Sequence, residues 1–405
     1  MKFTEFELND TLLDAVYYAS YDDATEIQAK AIPLILKGHD LIGCAQTGTG
    51  KTAAFVLPML NQLSESEATG VKALILCPTR ELAIQIDRQG QGLAYFTNAV
   101  CKAVYGGGDG VAWDQEREAL EGGADVIIAT PGRLISHIER GYVKFETVQH
   151  LILDEADRML DIGFFDDIIK IIKTLPVVRQ SLMFSATMAP KIRKLANEIL
   201  QDPLEVSVAV SKPAEGVLQE VYMAHEEQKI PLVKHLLSDK LEFNSIIVFC
   251  STKKKVTQLT RKLQQNKLNA QAISSDFEQK EREQTISDFR SGRTRILIAT
   301  DVMSRGIDIK GIDLVINFDV PTDAEDYVHR IGRTARANTK GMAITLISQD
   351  DMYRFVKIER LIERKLDKKQ PPSAIGIGPS WSDKPQSRTS NKRFSFKKNP
   401  SSFKK

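Results

Sequence analysis

The strongest constraint on this chain is an alternation. Six short, mostly apolar runs, LIGCA (41–45), ALILC (73–77), AVCKAVY (99–105), DVIIAT (125–130), HLILDE (150–155) and SLMFSAT (181–187), occur between residues 41 and 187. Stretches of helical character such as TAAFVLPMLNQL and RELAIQIDRQG lie between most of them. A strand that is apolar at nearly every position must be covered on both faces, and intervening helices supply that cover. The alternation therefore predicts a mostly parallel sheet flanked by helices. It breaks at VSVAVSKPAEG (206–216), a small-residue segment with Pro and Gly that reads as a linker. A second series follows, at VYMAH (221–225), SIIVFC (245–250), AQAIS (270–274), RILIAT (295–300), LVINFD (314–319) and AITLIS (343–348). At 405 residues the chain is too long for one ordinary core. The expectation is two α/β domains, 1–205 and 218–368, with a linker at 206–217, a helix near 349–366 and a tail at 369–405.

Charge separates the tail from the body. Residues 384–405 carry eight Lys or Arg and no acid, and removing them from the formal net charge of +2 leaves about −6 for the rest. The tail is rich in Ser, Asn and Pro and lacks a periodic apolar face, so it is expected to be disordered. No apolar run approaches the roughly 18 residues of a membrane helix, and MKFTEFELND has no secretory or transit character. The four cysteines are dispersed without metal-ligand spacing. They read as small core residues in a reducing cytoplasm.

Two motifs carry chemistry. AQTGTGKT, Ala45 to Thr52, follows an apolar strand and opens a helical stretch. That is the setting of a phosphate-binding loop. Gly48 and Gly50 let backbone amides curl round phosphate oxygens at a helix N-terminus. Lys51 supplies a charge to the β- and γ-phosphates, and the Thr52 hydroxyl can ligate Mg²⁺. Ala45 stands where the general motif has Gly. The second motif is LILDEADRM (151–159), in which a buried strand ends in three carboxylates within four residues. Uncompensated buried charge is costly, so something positive is expected there. In a phosphate-loop protein Asp154 can hold Mg²⁺ from the far side and Glu155 can orient the attacking water. A third segment, HRIGRTARA (329–337), spaces Arg330, Arg333 and Arg336 by three, which on a helix puts them on one side. A finger delivered from the second domain would make hydrolysis depend on domain closure.

With these and further motifs the chain resembles the DEAD-box RNA helicases, which are tandem RecA-like ATPases. The resemblance covers residues 1 to about 366. It runs in order through Phe3, TEIQ (25–28), AQTGTGKT, PTREL (78–82), YGGGD (105–109), TPGR (130–133), DEAD (154–157), SAT (185–187), VFCST (248–252), QKER (279–282), TDVMSRGID (300–308) and HRIGRTAR (329–336). The short body and basic tail look most like the bacterial RhlE-like group. The sequence departs from the family at Ala24, Ser20, Ser304 and Ala335, all small-residue or loop changes that remove no charge or ligand.

The resemblance implies roles position by position. Gln28 would read the adenine edge and Phe3 would stack on the ring. Thr25, Ala45, Gln46, Thr47, Gly48, Thr49, Gly50, Lys51 and Thr52 would complete the ATP and Mg²⁺ site, with Asp308 on the ribose. Arg333 and Arg336 would be fingers on the γ-phosphate. His329 and Arg330, with Asp157, Ser185 and Thr187, would couple that site to RNA. Arg80, Gly106, Gly107, Thr130, Gly132, Arg133, Arg282 and Thr300 would grip the strand through phosphates and 2′-hydroxyls, with little sequence preference.

The implied activity is ATP-dependent, local and non-processive RNA unwinding by a cytoplasmic monomer. Ribosome assembly, RNA decay and cold adaptation all fit. An ATP-gated RNA clamp that scarcely unwinds and a tandem-RecA DNA helicase are the alternatives. TEIQ and the complete DEAD count against the latter.

Overall fold

The computed structural model describes residues 1–382, except Thr47, 108–109, 209–216, 239, 241, 274–276, 278, 301–311 and 335–340. Thr47, Asp308 and Arg336, most of the expected linker, and the basic tail from 383 onward lie outside the described residues.

Among the described residues fourteen strands form two seven-stranded sheets, and all of their pairings are parallel. The first sheet contains β1 (Leu41–Cys44), β2 (Ala73–Leu76), β3 (Cys101–Val104), β4 (Val126–Ala129), β5 (His150–Leu153), β6 (Gln180–Ser185) and β7 (Leu204–Ser207). Its spatial order is β3-β4-β2-β5-β6-β1-β7. The second contains β8 (Val217–Met223), β9 (Ile246–Phe249), β10 (Ala270–Ile273), β11 (Ile296–Ala299), β12 (Leu314–Asn317), β13 (Gly341–Ile347) and β14 (Lys368–Lys369). Its order is β10-β11-β9-β12-β13-β8-β14. Shifting every strand number by seven converts one order into the other, so the two halves share one topology.

Side chains alternate across each strand, which divides the core. In the first sheet Leu41, Ile75, Ile128, Ile152 and Leu182 face one apolar cluster. Their neighbours Ile42, Leu74, Ile127, Leu151 and Met183 face the other. The second sheet does the same with Ile246, Ile296 and Leu314 against Ile247, Leu297 and Val315. Each fully buried side chain of this size contributes roughly 1.5–3 kcal/mol. Covering both faces is what makes these strands read as continuous apolar runs.

Three expected boundaries need correction. The linker does not begin at 206, because Val206 and Ser207 belong to β7 and pair with Gly43 and Cys44 of β1. It does not extend to 217 either, since Val217 opens β8. The tail does not begin at 369. Lys369 sits in β14 beside Tyr222 of β8. The following loop packs back on the domain, with Gln228 Nε2 donating to the carbonyls of Ile375 (3.3 Å) and Ile377 (3.1 Å). Trp381 meets the Phe355 ring edge-on at 6.2 Å. At Gly378 a Cβ would collide with the Met223 carbonyl, so only glycine fits that approach. The physical reason is the sheet edge. β7 protects β1 in the first sheet, and β14 protects β8 in the second. PPSAIGIGPSW has no periodicity, so its docking could not be read from spacing.

Candidate functional site

The order of the strands sorts the chemistry. In the first sheet β3, β4 and β2 are contiguous at one end, and their carboxyl ends lead to Gly106–Gly107, Thr130–Arg133 and Arg80. Beyond them β5, β6 and β1 lead to DEAD, SAT and the phosphate loop. Open α/β sheets bind ligands outside the carboxyl ends of their strands. Here one edge offers two adjacent regions, one of small and basic groups and one of phosphate-type chemistry.

The loop after β1 enters the helix Lys51–Leu63 through Gly48 (φ 89°) and Gly50 (φ 92°), both in the left-handed region. A side chain at Gly50 would also run into Gln28 and Thr25. Gln28 accepts from the Thr25 amide (2.8 Å) and donates from Nε2 to the Gly50 carbonyl (3.1 Å). It thereby pins the phosphate loop to the start of the helix Glu26–Leu36. Each end of its amide retains capacity for one more bond, which suits a base edge carrying a donor and an acceptor. Lys51 is buried and donates to the Ala45 carbonyl at 2.9 Å. Thr49 Oγ1 donates to the Gln46 carbonyl at 2.7 Å. Thr52 is half-buried in the first helical turn. The buried Gln46 Nε2 has no hydrogen-bond partner among the described residues. Such an orphaned donor beside a glycine loop and a buried ammonium fits a nucleotide phosphate chain.

Asp154 follows β5 and is only 3 % exposed. Burial raises its carboxyl to about 6, against the lowering influence of Lys51 and with further raising by Glu155 and Asp157. A carboxylate at this strand end and the half-buried Thr52 hydroxyl at the start of the phosphate-loop helix are oxygen donors of the kind that suit Mg²⁺. Glu155 takes φ 50°, ψ 49° and caps the helix Ala156–Ile162. Its carboxylate is held by Arg158 Nη1 at 3.2 Å. Asp157 accepts from the Ala186 amide at 3.1 Å, and Ser185 Oγ donates to the Thr187 carbonyl at 2.8 Å. DEAD and SAT are thus bonded to one another.

A cavity of about 790 Å³ lies between the domains. Lys51, Glu155, Asp157 and Thr187 line it from one side, and Asp326, His329 and Arg333 from the other. Arg330 and Arg333 do not share a helix face. The helix Ala324–Ile331 stops before Arg333, with Gly332 as its C-cap. Arg333 reaches the cavity. Arg330 is buried in the second domain, donating to Asn317 Oδ1 (3.0 Å) and the Asp319 carbonyl (2.8 Å), with its guanidinium 5.0 Å from the Phe249 ring. A turn that ends at glycine breaks the three-residue spacing, so Arg330 fixes the helix to the sheet rather than facing the other domain.

The residues expected to grip RNA are distributed over both domains. Arg80 opens the helix Arg80–Leu93, 4.6 Å over the Tyr105 ring, and pairs with Glu283 of the second domain at 2.9 Å. Arg282 pairs with Glu81 of the first domain at 2.9 Å. Thr130 caps the helix Pro131–Ile138, which carries Gly132 and Arg133, and a Cβ on Gly106 or Gly132 would meet open space. Thr300 follows β11. Phe3 is placed differently from expectation. It is 3 % exposed, packed between Phe6 and Tyr21 in the core, rather than presenting a free face.

Sequence reasoning missed Arg158, Glu283 and the buried Glu116 because each is one charge within a polar helical stretch. It also missed a charge cluster in the second domain. Lys229 is fully buried and bonded to Asp319 (3.1 Å) and Asp351 (3.4 Å), and Lys255 joins Asp319 at 2.6 Å. The carboxylates of Glu226, Asp319 and Asp351 lie close enough to hold a metal ion, but two ammonium groups already neutralise them.

Residues 25–195 match the DEAD/DEAH box helicase family, and residues 228–338 match the helicase conserved C-terminal domain. The chain is 40% identical over 373 residues to the ATP-dependent RNA helicase CshA of Listeria monocytogenes, covering 92% of this chain and 71% of that protein. It is 39% identical over 372 residues to the DEAD-box ATP-dependent RNA helicase CshA of Geobacillus kaustophilus, covering 92% and 79%. Its fold is similar to that of S. cerevisiae Dbp5 bound to RNA and ADP BeF3, with a TM-score of 0.78, 30% identity, and 91% and 95% of the two chains covered. These bacterial relatives carry the name CshA, not that of the RhlE-like group expected from the short body and basic tail.

Proposed function

Because the chain belongs to the DEAD-box family of ATP-dependent RNA helicases, we propose that it couples RNA-stimulated ATP hydrolysis between its domains to local, non-processive duplex separation and to remodelling of RNA–protein complexes. The observation that carries this reading is the interdomain cavity, where Lys51 and Glu155 of one domain face His329 and Arg333 of the other. Lys51 and the loop amides hold the phosphates, and Thr52 and Asp154 hold Mg²⁺, which supplies charge neutralisation when bound. Glu155 orients the attacking water, fixed in place by Arg158. Arg333 stabilises charge on the γ-phosphate only when the domains are together. Asp157, bonded to the SAT turn, passes the state of the site toward the RNA edge.

RNA lies across Gly106–Gly107, Thr130–Arg133 and Arg80 of the first domain and Arg282 and Thr300 of the second. Closing the domains bends one strand out of A-form geometry. Each duplex step is worth on the order of 1.4 kcal/mol in the DNA reference, so losing a few pairs is within reach of closure. The proposed setting is a monomer in the cytoplasm acting on ribosomal precursors or RNA undergoing decay. Among the described residues no helix is long and apolar enough to cross a membrane. The test is strand displacement on RNA duplexes of increasing length, with ATP and with a non-hydrolysable analogue. Displacement of short but not long duplexes supports the reading. RNA-stimulated ATPase without any displacement replaces it with an ATP-gated clamp.

A further inference from the structure

Glu116 is an anomaly in the first domain. It lies in the helix Gly110–Glu118, in the polar stretch AWDQERE, yet it is only 4 % exposed. Among the described residues, every bond it accepts comes from a segment that leads to the proposed RNA edge or supports it. Its Oε1 accepts from the Tyr105 amide at 3.0 Å. Its Oε2 accepts from Arg133 Nε at 2.6 Å and from His137 Nε2 at 3.0 Å. His137 is fully buried, and its Nδ1 is bonded to the Tyr142 hydroxyl. Burial lowers the His137 pKa, although the Glu116 hydrogen bond opposes this. A neutral ring that donates from Nε2 to the carboxylate and accepts at Nδ1 from the phenol satisfies all of these partners at once.

The consequence falls on the arginines. Arg133 uses Nε on Glu116, and its guanidinium lies 4.2 Å from the centre of the Trp113 ring. Trp113 is itself stacked on His137 at 3.8 Å and 17°. Held this way, the guanidinium cannot swing. Its Nη2 is buried without a hydrogen-bond partner among the described residues. The fork is fixed through Nε while the side chain keeps 15 % of its surface exposed, and that surface can meet a phosphate oxygen. Through its other oxygen Glu116 fixes the backbone of Tyr105, whose ring carries the Arg80 guanidinium and whose chain continues into Gly106–Gly107.

We propose that Glu116 is a positioning residue for RNA: one buried carboxylate sets Arg133 directly, and Arg80 and the glycine turn through Tyr105, so that the first domain presents a preformed cradle for two successive phosphodiesters. The proposal rests on the RNA role given above to Arg133. Glu116 does not itself touch the strand. It removes the conformational freedom that a free arginine would lose on binding.

The test uses the full-length chain and a fluorescent single-stranded RNA. RNA-stimulated ATPase is measured against RNA concentration for wild type, Glu116→Ala, Glu116→Gln, Arg133→Ala and the Glu116→Ala/Arg133→Ala double variant, with anisotropy titrations in a non-hydrolysable ATP analogue. Losing a charge-assisted bond should raise the half-saturating RNA concentration of Glu116→Ala about ten-fold. The KM for ATP should stay, and kcat at saturating RNA should fall less than about two-fold, because the chemistry is elsewhere. Glu116→Gln keeps the volume and one acceptor for Tyr105 but presents a donor to Arg133. It guards against misfolding, and it should weaken RNA binding while melting close to wild type. In the Arg133→Ala background the effect of Glu116→Ala should shrink at least roughly three-fold, because the two act in series. If Arg133→Ala weakens RNA binding while both Glu116 variants match wild type, the positioning role is wrong and the RNA reading stands. If the two single effects multiply in full, Glu116 does not act through Arg133 and the proposal fails. If Arg133→Ala binds RNA as wild type does, the RNA role of Arg133 falls and takes the proposal with it.

Discussion

At Glu155 the chain accepts a left-handed backbone, φ 50°, without being glycine. Such a conformation costs about 1 kcal/mol or more, and it persists where the surroundings over-determine it. Asp154 stays buried at the strand end, and Glu155 turns into the cavity beside Arg158. Glu155→Gln should therefore keep nucleotide and RNA binding and lower kcat about 10²–10⁴-fold, in line with loss of a positioned base. The variant should trap RNA in ATP, and turnover at the wild-type rate would remove Glu155 from the mechanism. Arg333 stands just past a helix end and reaches the same cavity from the other domain. Arg333→Ala should lower kcat by ~10³–10⁵ while nucleotide affinity of the first domain stays, as for a finger supplied in trans. A Kd for ATP that rises as steeply as kcat falls would recast Arg333 as a ground-state ligand.

At the scale of elements the repeated strand order places Asp319 just beyond β12 where the first sheet has Asp154 beyond β5, and Lys229 beyond β8 where it has Lys51 beyond β1. In the second domain the two are bonded to each other. Burial alone would raise the Asp319 carboxyl, but Lys229, Lys255 and the Ser251 amide hold it down to about 2. A folded-state value below the unfolded one gives stability that is present above the unfolded pKa near 3.8 and is lost as pH falls through the folded value. The wild-type advantage over Asp319→Asn should be on the order of 2 kcal/mol at neutral pH. Denaturant melts should show it shrinking as the pH falls from about 4 toward 2, and a gap independent of pH would assign the loss to packing. The β14 segment makes a second element-level claim. Ending the chain at 367 removes the strand beside β8, the bonds from Gln228 and the ring against Phe355. That truncation should lower the melting temperature by several degrees, roughly what 1–2 kcal/mol gives in a domain of this size. Ending it at 382 should not, and equal melting of both would make β14 dispensable.

For the whole molecule the decisive fact is that the cavity has two owners. A first-domain fragment must extend to 208, because Val206 pairs in β7 and the Val208 amide donates to the Cys44 carbonyl. Such a fragment should fold and bind nucleotide, yet hydrolyse it at least ~10³-fold more slowly than the full chain with RNA, since Arg333 is missing. Equal rates would show that one domain suffices. The crossed pairs Arg80–Glu283 and Arg282–Glu81 also span the domains. They place Arg80 and Arg282, both proposed to contact RNA, and their carboxylate partners on opposite sides of one cleft.

Much of this is legible in the amino-acid sequence alone. The apolar runs located twelve of the fourteen strands, because a strand covered on both faces leaves a continuous apolar mark in the chain. The phosphate loop is legible because glycine, lysine and a hydroxyl at fixed spacing serve one local geometry, and DEAD because three acids at the end of a buried strand require a counter-charge. Those are local demands, met by neighbours in sequence. What the tertiary structure decided was pairing over long separations. It separated Arg330, turned into its own domain, from Arg333, turned into the cleft. It buried Phe3 between Phe6 and Tyr21, docked 369–382 on an open sheet edge, and drew Glu116 against Arg133, His137 and Tyr105. A charge in a polar helix has the same sequence signature whether it faces solvent or a buried arginine, and only the fold determines which.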